Sequence, residues 1–159
     1  MTPAIVALSK AKQDFRILEY EHGSFGKRYG EEAVEELGLN PSRVFKTLLA
    51  ELHDGEIVVC VVPVMSLLDL KTLAKTTGSK RASMAEVSVA ERRTGYIAGG
   101  ISPFGQTRRH RTFVDHSASA FDEVFVSGGK RGLEVAISPS SFKEVLGAIY
   151  VALTGGTNE

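Results

Sequence analysis

The sequence predicts an α+β domain, a mixed and mostly antiparallel sheet or barrel with flanking helices. Three observations carry this. Helical and strand-like stretches do not alternate as βαβ units, so a doubly wound parallel sheet is not expected. Two β-rich runs, 43–52 and 56–64, are joined by His53-Asp54-Gly55, and Asp-Gly at such a junction marks a hairpin. Both runs are apolar on both faces, which places them centrally in the sheet.

Taken in order, Thr2 is an N-cap with Pro3 at the first helical position, opening a helix to about Lys12. Residues 15–21 alternate as a short strand. A loop over 23–28 leads to a helix from about Gly30 to Leu37, whose first turn carries Glu31 and Glu32 and whose C-terminal cap is Gly38. Asn40-Pro41 turns the chain into the hairpin. Asp69 caps a helix that runs to Thr77 and stops at Gly78. A short strand near 80–84 and a helix near 86–93 follow, then a glycine-rich loop. Short strands are expected at 112–115, 123–127 and 133–137, and a last helix at 140–146 begins after Ser138-Pro139.

The length, 159 residues, suits one domain over 1–153, with 154–159 read as a disordered tail. Hydrophobic residues make up 43% and charged residues 24%, the balance of a soluble globular chain. Lys plus Arg and Asp plus Glu both number 19, so bulk charge announces no nucleic-acid partner and any such surface must be local. No apolar run is long enough to cross a bilayer, and Met1-Thr-Pro-Ala-Ile lacks the basic and apolar regions of a signal peptide. The single cysteine, Cys60, sits in an apolar run and reads as a core residue. Together these features point to the cytoplasm.

The working centre is placed in 95–106, Gly-Tyr-Ile-Ala-Gly-Gly-Ile-Ser-Pro-Phe-Gly-Gln, which has four glycines and no charge. Such a loop tolerates positive φ and close approach of backbone to a ligand, and it can aim N–H groups at an oxygen. A second loop is read at Ser127-Gly-Gly-Lys-Arg-Gly132. Lys46 stands in the middle of the apolar run 43–49, where an ammonium is costly unless acceptors or a rim reach it. These two loops and Lys46 are expected to form one pocket. A phosphate-binding P-loop is rejected, because Gln106 occupies the position of the lysine that would reach the phosphates.

Tyr20 and Tyr29 flank a loop and, taken alone, read as packing residues. Ser127, taken alone, reads as a turn former. The basic pairs and triplets at 71/75, 80/81, 92/93, 108/109/111 and 130/131 read as solvated surface, or as a phosphate track if several share a face. His22, His53, His110 and His116 have no metal-ligand spacing, and neither metal nor cofactor is expected. No serine, cysteine or histidine stands out as a nucleophile–base pair. A hydrolase built from these residues would work by placement and oxyanion stabilisation.

Several runs resemble the YbaK/EbsC family of free-standing aminoacyl-tRNA deacylases. They are 1–4, Leu37-Gly-Leu-Asn-Pro41, Phe45-Lys-Thr-Leu-Leu49, Leu68-Asp-Leu-Lys71, Thr94-Gly-Tyr96, Gly99-Gly-Ile-Ser-Pro103, Gly105-Gln106 and Val126-Ser-Gly-Gly-Lys-Arg-Gly-Leu133, spread over nearly the whole chain. The resemblance implies a mixed β-barrel with surrounding helices, akin to the editing insertion of bacterial prolyl-tRNA synthetase. It implies hydrolysis of mischarged tRNA, chiefly Cys-tRNA(Pro), with prolyl-tRNA synthetase as partner. The family's functional lysine falls on Lys46, with Gly100 and Ile101 as the catalytic loop. The substrate-binding set falls on Tyr20, Tyr29, Thr47, Gly99, Ser102, Pro103, Ser127, Gly128 and Gly129. The sequence departs from the family at Tyr29, where phenylalanine is usual, and at 23–26, where an Asp-Pro is common. The resemblance also implies that the substrate's own thiol attacks its ester, so the protein supplies no nucleophile. A non-catalytic tRNA- or synthetase-binding module is the alternative.

Overall fold

A computed structural model of the chain describes residues 1–21, 23 and 29–155. The readings that fall on His22, on 24–28 and on the tail from 156 lie outside the described residues. Among the described residues, eight strands form two sheets. The first has three antiparallel strands, with β7 (Leu133–Ile137) between β1 (Phe15–Glu19) and β6 (Val124–Lys130). The second has five: β4 (Ala82–Met84), β2 (Phe45–Leu52), β3 (Ile57–Pro63), β5 (Thr112–Asp115) and β8 (Ile149–Val151), in that order. β2 pairs antiparallel with β3 and β4, whereas β3–β5 and β5–β8 are parallel.

The hairpin forms at Asp54-Gly55 as its sequence requires. Gly55 takes φ +93°, and the Asp54 carboxylate accepts from Glu56 N–H at 2.9 Å. β2 and β3 are central, and both faces of β3 are buried. Val59 and Val61 face the main core between the sheets, with Leu8, Val126, Val135, Phe104 and Phe142. Val58, Cys60 and Val62 face a second core with Leu73, Phe113 and Leu153. Burial pushes the Cys60 thiol up to about 12, so it is inert.

Among the described residues five helices flank the sheets: α1 (Pro3–Lys10), α2 (Tyr29–Leu37), α3 (Leu70–Thr77), α4 (Val87–Thr94) and α5 (Ser140–Leu146). The Thr2 hydroxyl caps α1, accepting from Ile5 N–H at 3.3 Å, and the Asp69 carboxylate caps α3, accepting from Thr72 N–H at 3.1 Å. Gly78 and Gly95 end α3 and α4 in the left-handed region that glycine enters without strain.

Three expectations are corrected. The sheets do not close into a barrel. Among the described residues they meet at one isolated bridge, Val44–Phe125, whereas closure needs a continuous ladder. β4 covers β2 only at Ala50–Leu52, leaving that edge of 45–48 without a ladder partner among the described residues. The stretch 127–132 is not a free loop: β6 continues to Lys130 through a register shift, and the turn to β7 is tight. Finally, β8 and the 3-10 turns Pro41–Arg43 and His116–Ala120 were not expected, being too short to show a period.

Candidate active site

The uncovered edge of β2 is where the cavity lies. Phe45, Lys46, Thr47 and Leu48 all line it, and since successive residues point to opposite faces, the cavity wraps the strand edge. Its volume is about 290 Å³, and the remaining wall comes from Tyr20, Gly30, Val64, Ala98, Gly99, Ile101, Ser127 and Glu134. Lys46 is half-buried and lies opposite Val62 in the ladder with β3. A lysine in a central strand is tolerable here because its segment borders an opening.

The glycine-rich loop is held from several sides. The Tyr96 hydroxyl donates to Phe104 O at 2.5 Å, and the Gln106 amide donates to Ser102 O at 3.0 Å. The Glu91 carboxylate accepts from Ala98 N–H at 2.8 Å. Phe104 stacks on Phe142 of α5 with ring centroids 5.7 Å apart. Gly100 N–H donates to Ile97 O at 2.9 Å, so that donor is already engaged. A Cβ on Gly100 would stand 2.5 Å from Lys130 Cα and 2.8 Å from Arg131 N. Only glycine lets the two segments meet backbone to backbone, and this contact brings Ile101 and Ser127 to one wall.

The predicted site residues therefore divide. Tyr20, Lys46, Thr47, Gly99, Ile101 and Ser127 share the cavity. Gly100 joins the two segments behind it. Gly128 accepts from the Thr2 hydroxyl at 2.5 Å, and Gly129, at φ +111°, packs on Thr2 and Tyr96. Ser102 and Pro103 are buried away from the cavity; the Ser102 hydroxyl accepts from Phe104 N–H at 3.2 Å, and Pro103 lines a separate groove beside Arg108 and Arg109. The side chain of Tyr29 lies outside the described residues.

Sequence reasoning missed Glu134. It occupies β7 opposite Ser127 of β6 and Leu18 of β1, is 6% exposed, and lines the cavity. Burial pushes its carboxyl up to about 8. The Tyr20 phenol is pushed up to about 12, first by burial and then by the nearby Glu134 charge, and it stays protonated. The signal was present, since Glu134 stands in an apolar strand as Lys46 does. Arg131, read as solvated, instead forms a bidentate pair with buried Glu32 at 3.0 and 3.2 Å. That pair steadies the turn whose Gly132 O accepts from Tyr20 N–H at 2.9 Å.

Among the described residues no cluster of His, Cys, Asp and Glu could hold a metal ion, and no helix is long and apolar enough to cross a membrane. The wall thus offers one ammonium, one carboxyl, neutral hydroxyls and loop N–H groups around an apolar cavity.

The sequence profile of the family described as "Aminoacyl-tRNA editing domain" matches residues 27–145. EbsC of Enterococcus faecalis, provisionally named a Cys-tRNA(Pro)/Cys-tRNA(Cys) deacylase, is 35% identical over 124 residues, covering 78% of this chain and 76% of its own. YwhH of Bacillus subtilis is 28% identical over 114 residues, 72% of each chain. A crystal structure provisionally described as a trans-editing enzyme for prolyl-tRNA synthetase superimposes with a TM-score of 0.83 at 20% identity. The match covers 97% of this chain and 96% of that one, a likeness of fold. With a profile that spans most of the chain and a relative of this identity and coverage, the chain belongs to the aminoacyl-tRNA editing domain family, as its YbaK/EbsC-like runs imply.

Proposed function

We propose that this protein hydrolyses mischarged tRNA in trans, with Cys-tRNA(Pro) as its chief substrate. The observation that carries the reading is the convergence of Lys46 with the Gly99–Ile101 and Ser127 segments on one cavity of about 290 Å³. That volume is at the small end for ligand sites, which suits an aminoacyl group with part of its ribose and leaves the tRNA body outside. The name of the Enterococcus relative supports the choice of amino acid and tRNA.

In this reading Lys46 holds an oxygen of the 3′-terminal nucleotide. The N–H groups of Gly99 and Ile101, which donate to no protein acceptor among the described residues, receive the ester carbonyl oxygen as charge develops on it. The cysteine thiol attacks its own carbonyl carbon. A sulfur–carbon bond forms at the carbonyl carbon, the bond from that carbon to the ribose oxygen breaks, and the thiol proton ends on that oxygen as the ribose hydroxyl, releasing a cyclic thiolactone and free tRNA. The protein orients the ester and stabilises the oxyanion. Prolyl-tRNA synthetase is the proposed partner that supplies tRNA identity, since a chain with 19 basic and 19 acidic side chains has little bulk attraction for RNA.

The test is a deacylation panel over Cys-, Ala-, Ser- and Pro-charged tRNA(Pro), with wild type and Lys46→Ala. Cys-tRNA(Pro) should be cleaved fastest, and the folded variant should lose ~10²–10³-fold, the effect of removing one preorganised charge-stabilising group. Equal rates for both proteins remove Lys46 from the mechanism. Binding of tRNA without turnover favours a non-catalytic module.

A further inference from the structure

The proposed mechanism leaves one buried group of the cavity without a task. Glu134 is held by β7 at the centre of the three-stranded sheet, so it has little freedom to leave the wall. It is 6% exposed and lines the cavity beside Tyr20 and Ser127. The charged and titratable groups around it are accounted for. The Tyr20 phenol is neutral, Arg131 is engaged by Glu32, and Lys46 lines the same cavity from the other sheet. The Thr47 hydroxyl, also in the wall, is buried and makes no hydrogen bond among the described residues. Buried polar groups that a folded chain leaves in this condition are completed by a ligand or by water.

We propose that Glu134 is the receptor for the substrate's free α-ammonium group, so that the cavity accepts aminoacyl-tRNA and rejects tRNA whose amino group is blocked by a formyl, acetyl or peptidyl group. This rests on the reading that the cavity takes an aminoacyl-adenosine end. The α-ammonium is the one positive charge of such an end when the side chain is neutral, and it sits on the carbon that bears the ester carbonyl. Seating the nitrogen at Glu134 confines the carbonyl to the adjoining wall, where Ser127, Thr47 and the Gly99–Ile101 segment lie. An amide in place of the ammonium brings no charge and adds an acyl group that the cavity must hold. Glu134 would be a specificity residue: it selects the nascent, unblocked ester and spares initiator and peptidyl-tRNA.

Arrival of an ammonium favours the ionised carboxylate, so binding releases the proton that the free site retains near neutral pH. The experiment uses two stable probes, 3′-(L-alanylamino)-3′-deoxyadenosine and its N-acetyl derivative, titrated calorimetrically into wild type, Glu134→Gln and Glu134→Asp. Two buffers of different ionisation enthalpy read the proton release. Wild type should bind the free amine at least ~10-fold more tightly, the effect of one charge-assisted hydrogen bond, with proton release. Glu134→Gln should lose both the preference and the release, and Glu134→Asp should retain part of the preference. Equal binding of the two probes by wild type, binding of neither, or full preference in folded Glu134→Gln overturns the proposal. If Glu134→Gln fails to fold, the wild-type ratio and Glu134→Asp decide. Deacylation of Cys-tRNA(Pro) is run alongside: amine preference without turnover sinks the deacylase reading and leaves the ammonium receptor standing.

Discussion

Replacing Glu134 by glutamine should make the protein more stable, and more so as pH rises. The buried carboxyl holds its proton up to about 8 instead of the ordinary 4.5. Between those values the folded chain keeps a proton that the unfolded chain has released, so stability falls as pH increases through that window. Each pH unit is worth ~1.4 kcal/mol, so the loss accumulated by pH 9 is on the order of 4 kcal/mol. Glutamine has nearly the same shape and carries no such linkage. Wild type and Glu134→Gln should therefore be nearly equal in stability at pH 5 and should diverge steadily to pH 9. Urea denaturation at five pH values between 5 and 9 measures the difference, and groups that titrate in both proteins cancel. Parallel curves for the two proteins would show that Glu134 is solvated or paired in the folded state, and its role as a desolvated receptor would go with them.

Two further outcomes follow from the packing behind the cavity. Gly100→Ala should cost about 2–3 kcal/mol in thermal or urea unfolding, because its Cβ would meet the Lys130 backbone at 2.5 Å and backbone cannot rotate aside; deacylation should fall further than stability alone explains, since the displaced segment carries Gly99 and Ile101. Arg131→Ala takes away the bidentate partner of buried Glu32 and should cost ~3–5 kcal/mol, with Glu32→Gln in the same chain recovering much of it; a double variant no more stable than Arg131→Ala alone would refute the pairing as the cause.

Much of the fold is legible in short windows of sequence. Thr2-Pro3, Asp69 and Gly78 mark helix ends by local hydrogen-bonding chemistry, and Asp54-Gly55 marks its hairpin. Lys46 could be singled out because a charge in the middle of an apolar strand is costly anywhere. Glu134 obeys the same argument but is harder to single out, as the strand around it is only five residues long. The segment 127–132 has the composition of a loop but pairs as a bulged strand, because a partner strand can impose pairing that glycine neither favours nor forbids. Arg131 has the look of a surface residue until α2 brings Glu32 beneath it.

What the sequence by itself determined is the set of local elements, the choice of Lys46 and of the two glycine-bearing segments, and the family to which they point. Each of these depends on neighbours within a few residues, whose periodicity, caps and turns are written in order along the chain. Only the tertiary structure decided that the sheets stay open and that the opening falls on residues 45–48 of β2. It alone decided that Gly100 meets the Lys130 backbone and that the Glu134 carboxyl is buried in the cavity wall. Those outcomes depend on contacts between segments 30 to 120 residues apart, where burial and close approach are set by the whole packing and no local pattern encodes them.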